Sequence, residues 1–113
     1  MVKPGYVPER GDIVWIDFDP QAGHEQAGRR PALVVSPAAY NARARLGLFC
    51  PLTRQVKGYP FEVLLPEGDG VTGAVLADQV KNLDWSARRV AFRERAPESV
   101  LEDVLEKIAV LIS

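Results

Sequence analysis

The chain has 113 residues, 47% hydrophobic and 26% charged, with one cysteine, one histidine and a formal net charge of -1; this fits one domain over residues 1–113 whose core needs no staples. A lone Cys50 excludes an internal disulfide, and with His24 as the sole histidine there is no Cys/His set for zinc, so a protein without metal or cofactor is expected. No apolar stretch approaches the roughly 20 residues of a membrane span, and the first residues lack a signal-peptide pattern, so no membrane association and a cytoplasmic location are expected.

Residues 1–10 contain Pro4, Gly5 and Pro8 and read as an irregular arm. From Asp12 to Phe18 the residues alternate at the period of a strand, which puts Val14, Ile16 and Phe18 on an inward face. Trp15 and Asp17 point the other way, as a dimer contact, a base-stacking platform or part of a second core. A polar loop follows to Arg30. Residues 31–36 form a short continuous apolar run with two valines, the pattern of a strand buried on both sides. Ser36 and Pro37 then read as the N-cap and first residue of a short helical insert that ends at Gly47. Residues 48–53 predict a third strand in which Pro51, lacking an N–H, implies an edge or a bulge that re-aims Thr53 and Arg54.

Residues 61–65 predict a fourth strand, and residues 66–73 a glycine-rich hairpin connection. Gly68-Asp69-Gly70 lacks the lysine and hydroxyl of a phosphate loop and reads as a plain turn. Two further strands flank Asp78 and Gln79, and a last one covers residues 90–95 with Val90 and Phe92 on one face. Pro97 and Glu98 open a terminal helix in which Leu101, Val104, Leu105, Ile108, Leu111 and Ile112 form one stripe. That stripe either closes the core or seals a dimer. Short strands between Gly/Pro turns, with one helical insert and one terminal helix, predict a mainly β protein: a strongly bent antiparallel sheet or small barrel with a helix packed on it.

The net charge conceals an asymmetry. Residues 1–60 carry a net +3 and residues 61–113 a net -4. From Gln26 to Phe61 there is no acidic residue, while Arg29, Arg30, Arg43, Arg45, Arg54 and Lys57 are all present. Such a tract attracts a polyanion.

The motifs GDIVWIDFDP (11–20), GHEQAGRRP (23–31), VVSP (34–37), PLT (51–53), KGYPFEV (57–63) and LADQVK (76–81) occur in that order. On these the chain resembles the MazF/PemK family, the toxin half of bacterial toxin-antitoxin pairs. The resemblance implies an SH3-like β-barrel with a C-terminal helix. It also implies a homodimer that cleaves single-stranded RNA at short sequences without metal until a cognate, MazE-like antitoxin with an acidic extended segment blocks it. By position it places Arg30, Thr53 and Glu25 in catalysis, and Trp15, Lys57 and Gln79 near the RNA groove. Asp17 and Arg54 complete the candidate RNA contacts. Arg29 and His24 stand where the family does not hold to those residues.

RNA cleavage of this kind uses the substrate's own 2′-hydroxyl as nucleophile and leaves a 2′,3′-cyclic phosphate and a 5′-hydroxyl. It needs a base, charge neutralisation at phosphorus and an acid. Arg30, whose planar fork matches phosphate oxygens, suits charge neutralisation. Thr53 suits donation to a non-bridging oxygen, and Glu25 is the candidate base. Two other classes compete: a CcdB-like gyrase poison, disfavoured because no tryptophan stands near the end of the chain, and a non-catalytic nucleic-acid-binding barrel.

Overall fold

A computed structural model describes residues 5–18, 28–68 and 70–113. Seven strands and two α-helices follow one another as β1 (Asp12–Asp17), β2 (Arg29–Val34), α1 (Ala38–Ala44), β3 (Gly47–Thr53), β4 (Glu62–Leu64), β5 (Ala74–Leu76), β6 (Lys81–Leu83), β7 (Ala91–Arg95) and α2 (Glu98–Ile112), with a 3-10 turn at Ala77–Gln79. All strand pairings are antiparallel, and the sheet runs β4-β5-β3-β2-β1-β7 with β6 beside the first half of β3. The mainly β architecture with a short helical insert and a terminal helix is the one the sequence predicts.

The central strands β1, β2 and β3 are buried on both faces. On one face Ile13, Leu33, Cys50 and Leu52 pack with Val100, Leu101 and Val104 of α2. On the other, Val14, Ile16, Val34 and Phe49 pack with Trp85 and Val90, and Tyr6 and Val7 of the arm close over them. Alternate residues of one strand thus feed two cores, which is why β2 reads as an unbroken apolar run. Each fully buried Val, Leu, Ile or Phe contributes about 1.5–3 kcal/mol of hydrophobic free energy. Burial also pushes the Cys50 thiol up to about 12, with the Asp78 carboxylate adding to the rise.

Two local expectations give way to tertiary structure. Ser36 is not a helix cap: Pro37 occupies the cap position of α1 with no side-chain cap bond. The Ser36 hydroxyl instead donates to Asn41 Oδ1 at 2.6 Å and accepts from the Leu48 N–H at 2.8 Å. Asn41, fully buried, donates through Nδ2 to the carbonyls of Pro8 (2.8 Å) and Ser36 (3.1 Å), tying the arm to the insert.

Pro51 marks neither an edge nor a bulge. β3 pairs with β6 as far as Phe49 and with β5 from Leu52, and Pro51 sits at the changeover, where that side of the strand has no ladder partner to receive an N–H. Phe92 shares the face of Val90, as alternation predicts, but at its rim: it pairs with Val14, is 49% exposed and meets Tyr6 edge-on at 6.1 Å. Beyond Phe92 the strand bulges, since Val14 faces Phe92 but Ile13 faces Glu94, so Arg93 is an extra residue and Arg93 and Glu94 fall on one face.

The stripe of α2 divides between its two predicted roles. Leu101 and Val104 are buried, whereas Leu111 and Ile112 are 48% and 81% exposed. The first turns close the core, and the last turn carries apolar surface outward.

Candidate active site

Adjacent strands bring the predicted residues together. Arg30, on β2, is aligned with Ile16 of β1, one step from the Trp15–Pro31 pair. Its Nη1 donates to the Leu52 carbonyl at 3.4 Å, which draws the guanidinium toward the end of β3. Thr53 is the last residue of that strand. Its Oγ1 accepts from the Gln55 N–H at 3.1 Å, so the hydroxyl proton remains to be donated and is polarised by the bond its oxygen receives.

Gly73 fixes Thr53 from behind. It has φ +106°, and a Cβ there would collide with the Thr53 carbonyl, so only glycine allows β5 to begin against Thr53.

A cleft of about 270 Å³ runs over this junction and is lined by Trp15, Arg30, Thr53 and Arg54, together with Arg29 and Arg93. Four arginines and no acidic residue stand among its described lining residues. The acid-free tract seen in the sequence therefore becomes a concave surface of one sign, a geometry that concentrates field on an anion.

A second cleft of about 590 Å³ meets the first at Thr53 and carries Lys57 and Gln79. Its walls are braced internally. The Glu62 carboxylate accepts from the backbone N–H groups of Lys57, Gly58 and Tyr59, at 2.9–3.1 Å for its Oε1 contacts, and shapes the loop that carries Lys57. The Tyr59 hydroxyl donates to Asp78 Oδ2 at 2.6 Å, and this bond, with the adjacent negative charge, raises the phenol above its usual range.

Asp17 lines neither cleft. Its carboxylate accepts from Arg89 Nε at 2.9 Å and Nη2 at 3.1 Å, and pairs with Arg29 at 3.4 Å. The Arg89 hydrogen bonds, helped by the charges of Arg89 and Arg29, hold the carboxyl below its ordinary value. Asp17 thus ties the base of the β1–β2 connection to the turn before β7. Glu25 and His24 lie outside the described residues.

Two contributors escape sequence reasoning. Arg93 enters the arginine cleft because β7 pairs with β1 so that Ala91 faces Trp15, a pairing that a single strand does not reveal. Tyr59 and Asp78 join across 19 positions of sequence; each sits in a motif of its own, but nothing local says that they meet.

Known proteins resemble the chain over almost all of its length. Residues 9–112 match the family described as PemK-like, MazF-like toxin of type II toxin-antitoxin system. The chain is 49% identical over 107 residues to the endoribonuclease toxin MazF of Escherichia coli K12, covering 95% of this chain and 96% of that protein. It is 39% identical over 110 residues to the Escherichia coli endoribonuclease PemK, covering 93% and 82%. In three dimensions it is similar to the crystal structure of MazF from Deinococcus radiodurans, with TM-score 0.91 and 55% identity over 95% of this chain and 97% of that one. The MazF chain of a MazE-MazF crystal structure from the same organism superposes at TM-score 0.84 with 48% identity over 96% and 97%. With the same strands and terminal helix, and with its motifs matched across all but the chain's first and last few residues, this chain belongs to the PemK-like, MazF-like family of toxins.

Proposed function

We propose that the chain, acting as one toxin domain, is a sequence-specific endoribonuclease of a type II toxin-antitoxin system that cleaves single-stranded RNA without a metal. The observation that carries this reading is the convergence of Arg30 and Thr53, from different strands, in a cleft whose described lining has four arginines and no acid. The relatives named as endoribonuclease toxins support it.

In this reading the scissile phosphate sits between Arg30 and Thr53. The ribose O2′ loses its proton and bonds to phosphorus, the bond from phosphorus to O5′ breaks, and O5′ takes up a proton. Products are a 2′,3′-cyclic phosphate and a 5′-hydroxyl. Arg30 neutralises the charge gathering on the non-bridging oxygens, and the Thr53 hydroxyl donates to one of them, both preset before reaction. Glu25 is the proposed base. Trp15 and Arg54 hold the strand on one side, and Lys57 and Gln79 meet bases on the other.

A cognate antitoxin with an acidic extended segment suits the same cationic cleft and would compete with RNA for it, in keeping with the MazE-MazF complex of a similar protein. A homodimer is proposed as the working unit, supported by the apolar surface that Val110, Leu111 and Ile112 expose on the last turn of α2.

The test is incubation with a long RNA of mixed sequence in EDTA, followed by mapping of both ends of every fragment. Recurrent short sites ending in cyclic phosphate are expected. RNA that survives intact, or ends that carry a 5′-phosphate, would sink the proposal.

A further inference from the structure

β7 does not pair evenly along β1: Ile13 faces Glu94 and Val14 faces Phe92, so Arg93 is an extra residue without a register partner. Alternation from Ala91, the partner of Trp15, puts Arg93 on the Trp15 face, and the bulge re-aims Glu94 to that same face. The Arg93 guanidinium carbon lies 4.9 Å from the centroid of the Trp15 ring. Its Nε stands 3.6 Å from Glu94 Oε1, and Glu94 is itself held by the Val71 N–H, at 3.2 and 3.3 Å from its two oxygens. The ring and the carboxylate together hold the guanidinium in place. The terminal nitrogens make no hydrogen bond among the described residues.

A planar fork held in this way is preset for two parallel hydrogen bonds to an oxyanion and loses little side-chain freedom on binding one. Arg93 lines the same cleft as Arg30 and Thr53. It stands, however, on β7, two strands beyond Arg30 in the order β3-β2-β1-β7. Strands lie about 4.8 Å apart, so β7 is roughly 10 Å across the sheet from β2. A phosphate gripped by the neighbouring strands β2 and β3 is out of line with Arg93, and the next phosphate of an extended strand is in line with it.

We propose that Arg93, held over Trp15 with Glu94 beside it, binds the phosphate adjacent to the scissile one and so sets the register of the RNA strand on Arg30 and Thr53. The assignment rests on the nuclease reading above. It makes Arg93 a substrate-binding residue that takes no part in bond making, and it has Trp15 hold the strand through that guanidinium.

The test uses the full chain and a synthetic oligoribonucleotide carrying a cleavage site mapped as above. Two further versions have one flanking phosphate, on either side of the scissile one, replaced by an uncharged methylphosphonate. Arg93→Ala is expected to raise KM about tenfold, the low end for a hydrogen bond to a charged group, with kcat within about threefold. On an uncleavable oligonucleotide with a 2′-deoxy sugar at the scissile position, it lowers the slope of log affinity against log salt by about 0.7, one single-strand phosphate contact. One of the two neutralised oligonucleotides costs the wild type a similar factor and costs Arg93→Ala nothing more, the non-additivity of a direct contact.

Arg93→Lys keeps the charge but not the fork, so it restores the salt slope while KM stays raised. If Arg93→Ala does not fold, judged by circular dichroism, the same oligonucleotide comparison with Arg93→Lys decides the matter through KM. An unchanged salt slope in Arg93→Ala, or equal losses for wild type and variant on both neutralised oligonucleotides, overturns the assignment and leaves the nuclease reading standing. A wild type that leaves RNA intact overturns both.

Discussion

The two clefts that meet at Thr53 are built from opposite electrostatic ingredients. In the first, the described lining has four arginines and no acid, and the carboxylates that pair with Arg29 and Arg93, those of Asp17 and Glu94, are not part of it. In the second, Glu62 and Asp78 are present but already engaged, one by three backbone amides and the other by the Tyr59 hydroxyl. A surplus of cations binds a phosphate chain whatever its sequence, whereas fixed, internally satisfied donors and acceptors at defined positions suit the edges of bases. The division assigns rate to one cleft and choice of site to the other, with Thr53 between them.

Substitutions on either side break or sharpen that division. The largest effect is expected from Arg30→Ala, a fall in kcat of roughly 10³- to 10⁵-fold at every cleavage site, the loss seen when an arginine is removed from a transferring phosphoryl group. Single-turnover cleavage under saturating protein measures it, and activity within tenfold of wild type would remove Arg30 from the chemistry. Thr53→Ala is expected to cost roughly 10²- to 10³-fold in the same assay, the range for one neutral donor. A larger loss than for Arg30→Ala would reverse the two roles.

Gln79→Ala acts in the other cleft and changes the pattern of cuts more than their number. Discrimination between preferred and secondary sites falls roughly 2- to 10-fold, the equivalent of one hydrogen bond, and end mapping on a long RNA reads it directly. A uniform loss at all sites would place Gln79 with the rate-determining groups.

The smallest effect lies outside both clefts, at Asp17. Its pKa is lowered in the folded protein, first by the Arg89 hydrogen bonds. The contribution to stability is therefore fully present above the unfolded value of about 3.9 and is lost as the pH falls through the lower folded value. Asp17→Asn should lower the urea midpoint slightly at neutral pH, as befits a pair with an exposed arginine. The gap from wild type should close in strong acid. A gap that widens with acid would contradict the pairing.

Much of the site was readable in one dimension because its motifs are local. Arg30 beside Pro31 at the entrance of an apolar run, and Thr53 at the end of another, announce themselves as polar groups on strand ends. The acid-free stretch around them foretold a cationic surface. Arg93 did not, because its place depends on the pairing of β7 with β1, which sets Ala91 opposite Trp15 and which no single strand displays. Asp17 read as an outward partner of Trp15, yet its neighbours are Arg29 and Arg89, the second of them 72 positions away.

Hydrophobic periodicity by itself determined that this is a mainly β chain with buried central strands and a terminal amphipathic helix, because a two-residue or helical repeat is a property of consecutive side chains. Only tertiary structure decided what Pro51 and Ser36 do. Pro51 is tolerated inside β3 because β6 ends before it and β5 begins after it. Ser36 turns from capping to Asn41 because a buried amide must be satisfied. The bulge after Phe92 brings Glu94 to the same face as Arg93, since one extra residue in a ladder reverses the face of everything beyond it.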